Sequence, residues 1–143
     1  MRFFIKYGSL FIFILAGIIS ELRAQVYQFE TFNVEDGLSQ SQVNCIYEDS
    51  RGFLWLATYG GGVCRFDGVN FVSYEAKDGM AGPIVTSIAE DNKGNMWFGS
   101  TWGGLTKFDG KYFTIYEKND GLVDNGIRSL AYDKNTDELL IGT

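Results

Sequence analysis

The stretch DGLSQSQVNCIYEDSRGFLWLATYGGGVCRFDGVNFVSYEAK (residues 36–77) is followed at once by DGMAGPIVTSIAEDNKGNMWFGSTWGGLTKFDGKYFTIYEKN (residues 78–119), and the two align without a gap at a period of 42. Asp36-Gly37-Leu38 matches Asp78-Gly79-Met80, and a third copy opens at Asp120-Gly121-Leu122. Glu48-Asp49 matches Glu90-Asp91, Trp55 matches Trp97, and Gly61-Gly62 matches Gly103-Gly104. Phe66-Asp67-Gly68 matches Phe108-Asp109-Gly110, and Phe71 and Tyr74 match Phe113 and Tyr116. Self-similarity at such a period means one supersecondary unit per repeat, each covering its neighbour's apolar face.

Inside a unit, apolar runs at 43–48, 53–58, 63–66 and 71–74 alternate with the turn-forming stretches 49–52, 60–62 and 67–68. Short runs rich in Val, Ile, Phe, Tyr and Trp, bounded by Gly, Asp and Asn, read as strands. Asp67-Gly68 and Asp109-Gly110 read as two-residue hairpin turns of type I′, which require positive φ at both central positions. No helical periodicity follows residue 24. Each unit is therefore expected to be a four-stranded antiparallel meander in an all-β chain. Four strands per period of about 40 to 50 residues is the signature of a β-propeller blade. Trp55 and Trp97, one per second strand, are read as filling the space between neighbouring blades, with stacking on a ligand as the alternative. Gly61, Gly62, Gly103 and Gly104 are read as letting backbone pass closely at the turn into the third strand, a conformational need and not a phosphate cradle.

Working outward, a step of 42 back from Phe71 and Tyr74 reaches Phe29 and Phe32, so residues 25–35 are expected to supply an outermost strand that completes the last blade of the ring. Residues 36–77 and 78–119 are blades 1 and 2. Residues 120–143 are a partial blade 3, with strands at 126–132 and 139–143, one inserted residue, and Leu140 in the tryptophan position. A ring needs about 4 to 8 blades, or on the order of 170 to 340 residues at this period, so the chain is expected to be an incomplete N-terminal fragment of a larger propeller. Its open flanks are expected to leave it poorly stable alone.

Residues 1–24 have the layout of a secretory signal. Arg2 and Lys6 precede the uncharged apolar run 10–19 (LFIFILAGII), and a polar stretch ends at Ala24, after which cleavage is expected. A retained signal anchor is the competing reading, although the run is shorter than the roughly 20 residues a bilayer core requires. Removing Arg2, Lys6, Arg23 and Glu21 leaves 9 basic and 17 acidic side chains, a charge of -8 against -6 for the whole chain. The absence of His excludes His-based triads, His metal sites and the phospho-accepting His of a kinase within these 143 residues. An acidic balance without a basic run argues against nucleic acid as a partner.

The pattern DGL, V..I.ED, then WLAT or WFGS, GGV or GGL, and FDG..F..Y resembles the two-component regulator propeller repeat family. "WLAT" and "WFGS" stand where that family has WIGT, and the third unit has "LIGT" without its Trp. The resemblance implies the exported sensor region of a hybrid two-component histidine kinase of the Bacteroidetes type, at the periplasmic face of the inner membrane. In such proteins further blades, a β-sandwich module, a membrane helix and a kinase core follow, and the full-length protein is expected to be a homodimer. By the same analogy the ligands are small molecules, oligosaccharides above all; no cofactor is implied.

In a four-stranded blade, the links between blades and those from second to third strand share one end of the ring. That end collects Ser39, Gln40, Ser41, Gln42, Tyr59, Trp102, Asp124 and Asn125. Amides, hydroxyls and aromatic faces suit sugar binding; solvated loop residues are the plain alternative. Tyr59 and Trp102 stand out because neither has an aromatic equivalent in the other unit. A carbohydrate-active enzyme is a second class, since carboxylate pairs cleave glycosides without His, and a secreted binding or scaffold propeller is a third. The carboxylates Glu48, Asp49, Glu90, Asp91, Asp67 and Asp109 repeat at fixed blade positions beside turns, which points to turn chemistry and no catalytic residue. Asp133, Asn135 and Asp137 lack the glycine and terminal Glu of a calcium loop and read as a hairpin turn, with no metal. Cys45 and Cys64, on the first and third strands of one blade, are roughly 9.5 Å apart, beyond the approximately 7 Å reach of a disulfide. They are expected to be unpaired and buried.

Overall fold

A computed structural model describes residues 28–143. The expected signal segment, 1–24, lies outside the described residues, as do residues 25–27 of the expected outer strand. The strands are β1 (Val43–Glu48), β2 (Leu54–Thr58), β3 (Val63–Phe66), β4 (Phe71–Tyr74), β5 (Val85–Glu90), β6 (Met96–Ser100), β7 (Gly104–Phe108), β8 (Phe113–Tyr116), β9 (Ser129–Asp133) and β10 (Glu138–Gly142). They form two four-stranded antiparallel meanders, β1-β2-β3-β4 and β5-β6-β7-β8, and a two-stranded pair, β9 with β10. The described chain is all-β apart from short 3-10 turns.

Those turns explain the Asp-Gly-Leu motif. At Val34–Asp36, Ala76–Asp78 and Lys118–Asp120 the motif's Asp accepts the backbone N–H three residues earlier, at 2.8 to 2.9 Å. The following Gly37, Gly79 and Gly121 close each turn at φ of 106 to 109°, a left-handed conformation open to glycine.

Both first strands carry a bulge, between Val43 and Cys45 and between Val85 and Ser87. The extra residue is Asn44 in one and Thr86 in the other, and a bulge re-aims its side chain. Asn44 Nδ2 donates to the Val85 carbonyl at 2.8 Å, and Thr86 Oγ1 donates to the Ile127 carbonyl at 2.7 Å. The same bond thus joins each sheet to the next.

The core lies between the sheets. Trp55, Ala57 and Val63 of the first meander pack with Ile88, Met96, Phe98 and Phe108 of the second. Trp55 is fully buried, its ring 5.4 Å from Phe98, 5.9 Å from Phe108 and 5.8 Å from Tyr74. Trp55 thus lies between the two four-stranded sheets. Trp97 is half-buried, 5.8 Å from Tyr116. The paired rings at the outer hairpins also repeat, Phe66 with Phe71 and Phe108 with Phe113, each at 4.5 Å.

Four expectations need correction. First, residues 28–33 form no strand, because a strand requires a partner and none is present among the described residues. Phe32 nevertheless occupies the repeat position of Tyr74. It packs 5.1 Å from Phe66 and 5.6 Å from Phe71, as Tyr74 packs 5.6 Å from Phe108 and 5.4 Å from Phe113. Second, the Asp-Gly turns are not two-residue type I′ turns. Phe66 pairs with Phe71 across the four residues 67–70, Gly68 alone has positive φ (97°), and Asp67 Oδ1 accepts the N–H groups of Val69 and Asn70. The carboxylate caps the turn, and Asp109 with Gly110 repeats this arrangement.

Third, the third unit's strands are 129–133 and 138–142, not 126–132 and 139–143. Ile127 bonds to the preceding sheet instead, its N–H donating to the Ser100 carbonyl at 2.8 Å, while the Arg128 N–H donates to the Gly142 carbonyl of its own sheet at 2.8 Å. Fourth, Cys64 is buried but Cys45 is only partly so; both thiols are free.

Candidate functional site

The glycine turns set the floor of the end where ligands were expected. Thr58 Oγ1 donates to the Gly62 carbonyl at 2.9 Å and accepts the Gly61 N–H at 3.1 Å. Ser100 does the same with Gly104 and Gly103, both at 3.0 Å. The second glycine of each pair has positive φ, 68° at Gly62 and 90° at Gly104. The first allows close approach: a Cβ on Gly103 would collide with the Ala81 carbonyl oxygen, and one on Gly61 would stand 2.9 Å from that of Ser39. Gly62 and Gly104 then donate to the carbonyls of Pro83 and Asn125, both at 2.9 Å, tying each turn to the link that enters the next sheet.

Tyr59, Gln40 and Gln42 come together at the first turn. The Tyr59 N–H donates to the Gln42 carbonyl at 2.9 Å, Gln40 lies beside Gly60, and the Tyr59 side chain is 50% exposed. At the second turn Trp102 is 77% exposed. It borders a cleft of about 570 Å³ whose walls include Thr86, Asp124, Ile127 and Arg128, and a smaller hollow of about 180 Å³ beside Pro83 and Ile84.

The repeat fails at Trp102. Its equivalent is Gly60, which has φ of 117° and donates to the Pro83 carbonyl at 3.1 Å. Asp137 alone has positive φ among the described non-glycine residues, so the backbone at Trp102 takes another path. An indole in water forgoes burial that its size would reward.

Asp124 and Asn125 are partly committed to structure. Asp124 accepts the Gly126 N–H at 2.8 Å and pairs with Lys118 Nζ at 3.0 Å, and these two contacts hold its carboxyl below the usual carboxylate range. Asn125 Oδ1 accepts the Lys118 N–H at 2.8 Å while its carbonyl serves Gly104. Thr86, Ile127 and Arg128 were not picked out from the sequence. The available signal was a break in the repeat, since Arg128 follows Asn44 and Thr86 at the period of 42 and brings a charge neither has.

Of the repeated carboxylates, Asp49, Asp67, Asp91 and Asp109 accept hydrogen bonds inside their turns. Asp49 accepts from Arg51 and Phe53 N–H groups at 3.0 Å and from Trp55 Nε1 at 2.8 Å. Burial pushes its carboxyl up, but these bonds outweigh it and leave the pKa below the usual value; Asp91 behaves alike through Asn95 and Trp97. Glu90 accepts the Ser50 N–H at 2.9 Å and its hydroxyl at 2.6 Å, tying two sheets. Asp133 caps the β9–β10 hairpin by accepting the Asn135 N–H at 2.8 Å. Among the described residues no cluster of acidic or Cys side chains could hold a metal ion.

The model of a family described as two component regulator propeller matches residues 37–60 and 74–102. No curated protein matches the chain. Among solved structures, it is similar to the extracellular domain of a B. thetaiotaomicron protein described as a hybrid two component system, at 25% identity and a TM-score of 0.73 over 82% of this chain and 18% of that one. It is also similar to an extracellular domain from the same organism described as belonging to a one component system, at 26% identity and a TM-score of 0.62 over 73% of this chain and 16% of that one. The chain thus spans under a fifth of the length of these structures. Among the described residues no helix is long and apolar enough to cross a membrane. Tryptophan, paired glycines and Asp-Gly turns recur in register in both four-stranded sheets, and the residues that the two component regulator propeller model matches fall within these two repeats.

Proposed function

We propose that this chain belongs to the ligand-sensing propeller of a two-component system, exported to the periplasmic side of the inner membrane, with oligosaccharides as the ligand class. The observation that carries the reading is Trp102, an exposed indole at a loop where the repeat's backbone is abandoned. A sugar presents an apolar ring face to an indole and hydroxyls to the polar groups around it. The neighbours described as extracellular domains of two-component systems support the placement outside the cytoplasm.

Further blades complete the ring in this reading. Ile46 is 61% exposed although its repeat equivalent Ile88, covered by the first sheet, is 5% exposed. A further sheet would cover Ile46 as β1 to β4 cover Ile88. Downstream kinase domains and a dimer read the bound state, which requires a ligand that interacts differently with two receptor arrangements.

The test is glycan binding by the intact protein and its Trp102→Gly variant, which restores the residue of the first repeat and should fold. The expected result is saccharide binding that weakens about tenfold or more, the size of a lost stacking contact of roughly 1.4 kcal/mol. Unchanged affinity would remove the proposed platform.

A further inference from the structure

The smaller hollow beside Trp102, of about 180 Å³, is built by the second four-stranded sheet and by the link 81–84 that joins it to the first. Ile84, on its wall, stands between the two sheets: an antiparallel bridge sets it opposite Tyr59, and its carbonyl accepts the Thr101 N–H at 3.0 Å. Residues opposite each other in such a bridge share a face. Tyr59 therefore lies on the Ile84 side of the hollow, and Trp102, next after Thr101, closes the other side. Two rungs of about 4.8 Å separate the backbones of Tyr59 and Thr101, or roughly 9.5 Å. Both rings are open to solvent, Tyr59 at 50% and Trp102 at 77%.

The floor between the two rings is already bonded within the protein. Ser100 Oγ donates to the Gly104 carbonyl and accepts the Gly103 N–H, both at 3.0 Å. The Pro83 carbonyl accepts the N–H groups of Gly60 and Gly62, at 3.1 and 2.9 Å, and the Ala81 N–H donates to Thr106 Oγ1 at 2.9 Å. No ionisable side chain lines the hollow. A charged group entering it would lose water without gaining a partner, and the chain's net charge of -6 opposes an anion further. We infer that Tyr59 and Trp102 are two stacking positions of one continuous subsite, which takes an uncharged oligosaccharide laid across the Pro83-Ile84 link, with successive sugar units on the two rings. Aromatic faces at separate rungs suit a chain of sugars better than a single one. The inference deepens, and rests on, the reading of this chain as a saccharide sensor.

The test measures binding of neutral mono-, di-, tri- and tetrasaccharides, and of uronate-containing oligomers of the same lengths, to the intact protein and its Tyr59→Thr and Trp102→Gly variants. Each substitution installs the residue of the other repeat, Thr101 or Gly60, so both variants should fold. Neutral probes should bind in preference to uronates, and more tightly as length grows. Tyr59→Thr should weaken the longer oligomers about tenfold or more, as for one lost stacking contact, and leave the monosaccharide unchanged, whereas Trp102→Gly should weaken every length. Affinity independent of length, or long oligomers indifferent to Tyr59→Thr, overturns the continuous subsite while leaving the sensor reading in place. Equal loss at every length in Tyr59→Thr overturns it too, by giving Tyr59 either the same sugar as Trp102 or, with a lowered melting temperature, a structural role. Preference for uronates overturns the uncharged class. No binding to any probe overturns both readings.

Discussion

The indole Nε1 of Trp55 donates to Asp49 Oδ2 at 2.8 Å, and 42 residues later Trp97 donates to Asp91 at 3.0 Å. The bond links the two most regular features of the repeat, the acidic turn and the tryptophan. It fixes the ring's orientation: in Trp55 one edge is satisfied by the carboxylate while the ring packs on Tyr74 of its own sheet and on Phe98 and Phe108 of the next. Removing the ring by Trp55→Ala should cost about 3 to 5 kcal/mol, since it empties a fully buried site. Asp49→Ala should cost about 1 to 3 kcal/mol by leaving a buried N–H unpaired. Chemical denaturation of the intact protein checks both, and a Trp55→Ala protein as stable as wild type would refute the inter-sheet packing.

The same carboxylates set an acid limit. In the folded protein Asp49 and Asp91 have pKa values below the ordinary carboxylate value that they regain on unfolding. Their contribution to stability is therefore complete above that ordinary value, about 4, and is lost as pH falls through the depressed folded pKa. Melting temperature should hold from pH 7 to about 5 and decline below about 4. Asp49→Asn should flatten that decline; an equally steep one would assign it to other groups.

Gly103→Ala should destabilise strongly although alanine is small. The added Cβ meets the backbone oxygen of Ala81, which cannot rotate away as a side chain could. Overpacking of this kind costs about 1 to 3 kcal/mol. Gly52→Ala offers the contrast, with open space around it and only the strain of φ at 85°. Thermal shift should rank Gly103→Ala as the more damaging; the reverse order would show that the loop yields.

Thr86→Val keeps the shape at the bulge and removes the donor to the Ile127 carbonyl. Asn44→Ala removes its counterpart to Val85. Each should cost about 1 kcal/mol. Hydrogen exchange should report faster opening at the affected sheet boundary, and unchanged exchange there would mean the bond is incidental.

Strand positions were legible because they depend on local chemistry. Turn residues at 49–52, 60–62 and 67–70 punctuate apolar runs, and β1, β3 and β4 coincide with the runs they bound. The turn type at Asp67 was misread, since Asp-Gly suits both a type I′ turn and a carboxylate-capped four-residue loop. The third unit was misplaced because Ile127 bonds to the preceding sheet, a contact that strand composition does not encode. Tyr59 and Trp102 were legible as breaks in the repeat, whereas Arg128 lay inside the run 126–132 read as a strand and drew no notice.

The sequence by itself determined the period, the four strands of each full unit and the radial class of fold, because each follows from residue types a few positions apart. Tertiary structure alone decided that Phe32 takes the place of Tyr74 without a strand, and that Trp102 leaves the path of Gly60. It also decided that Arg128 reaches the same cleft as Trp102. These depend on how one sheet meets the next, and that meeting is fixed by packing between residues about a repeat apart, which no local pattern records.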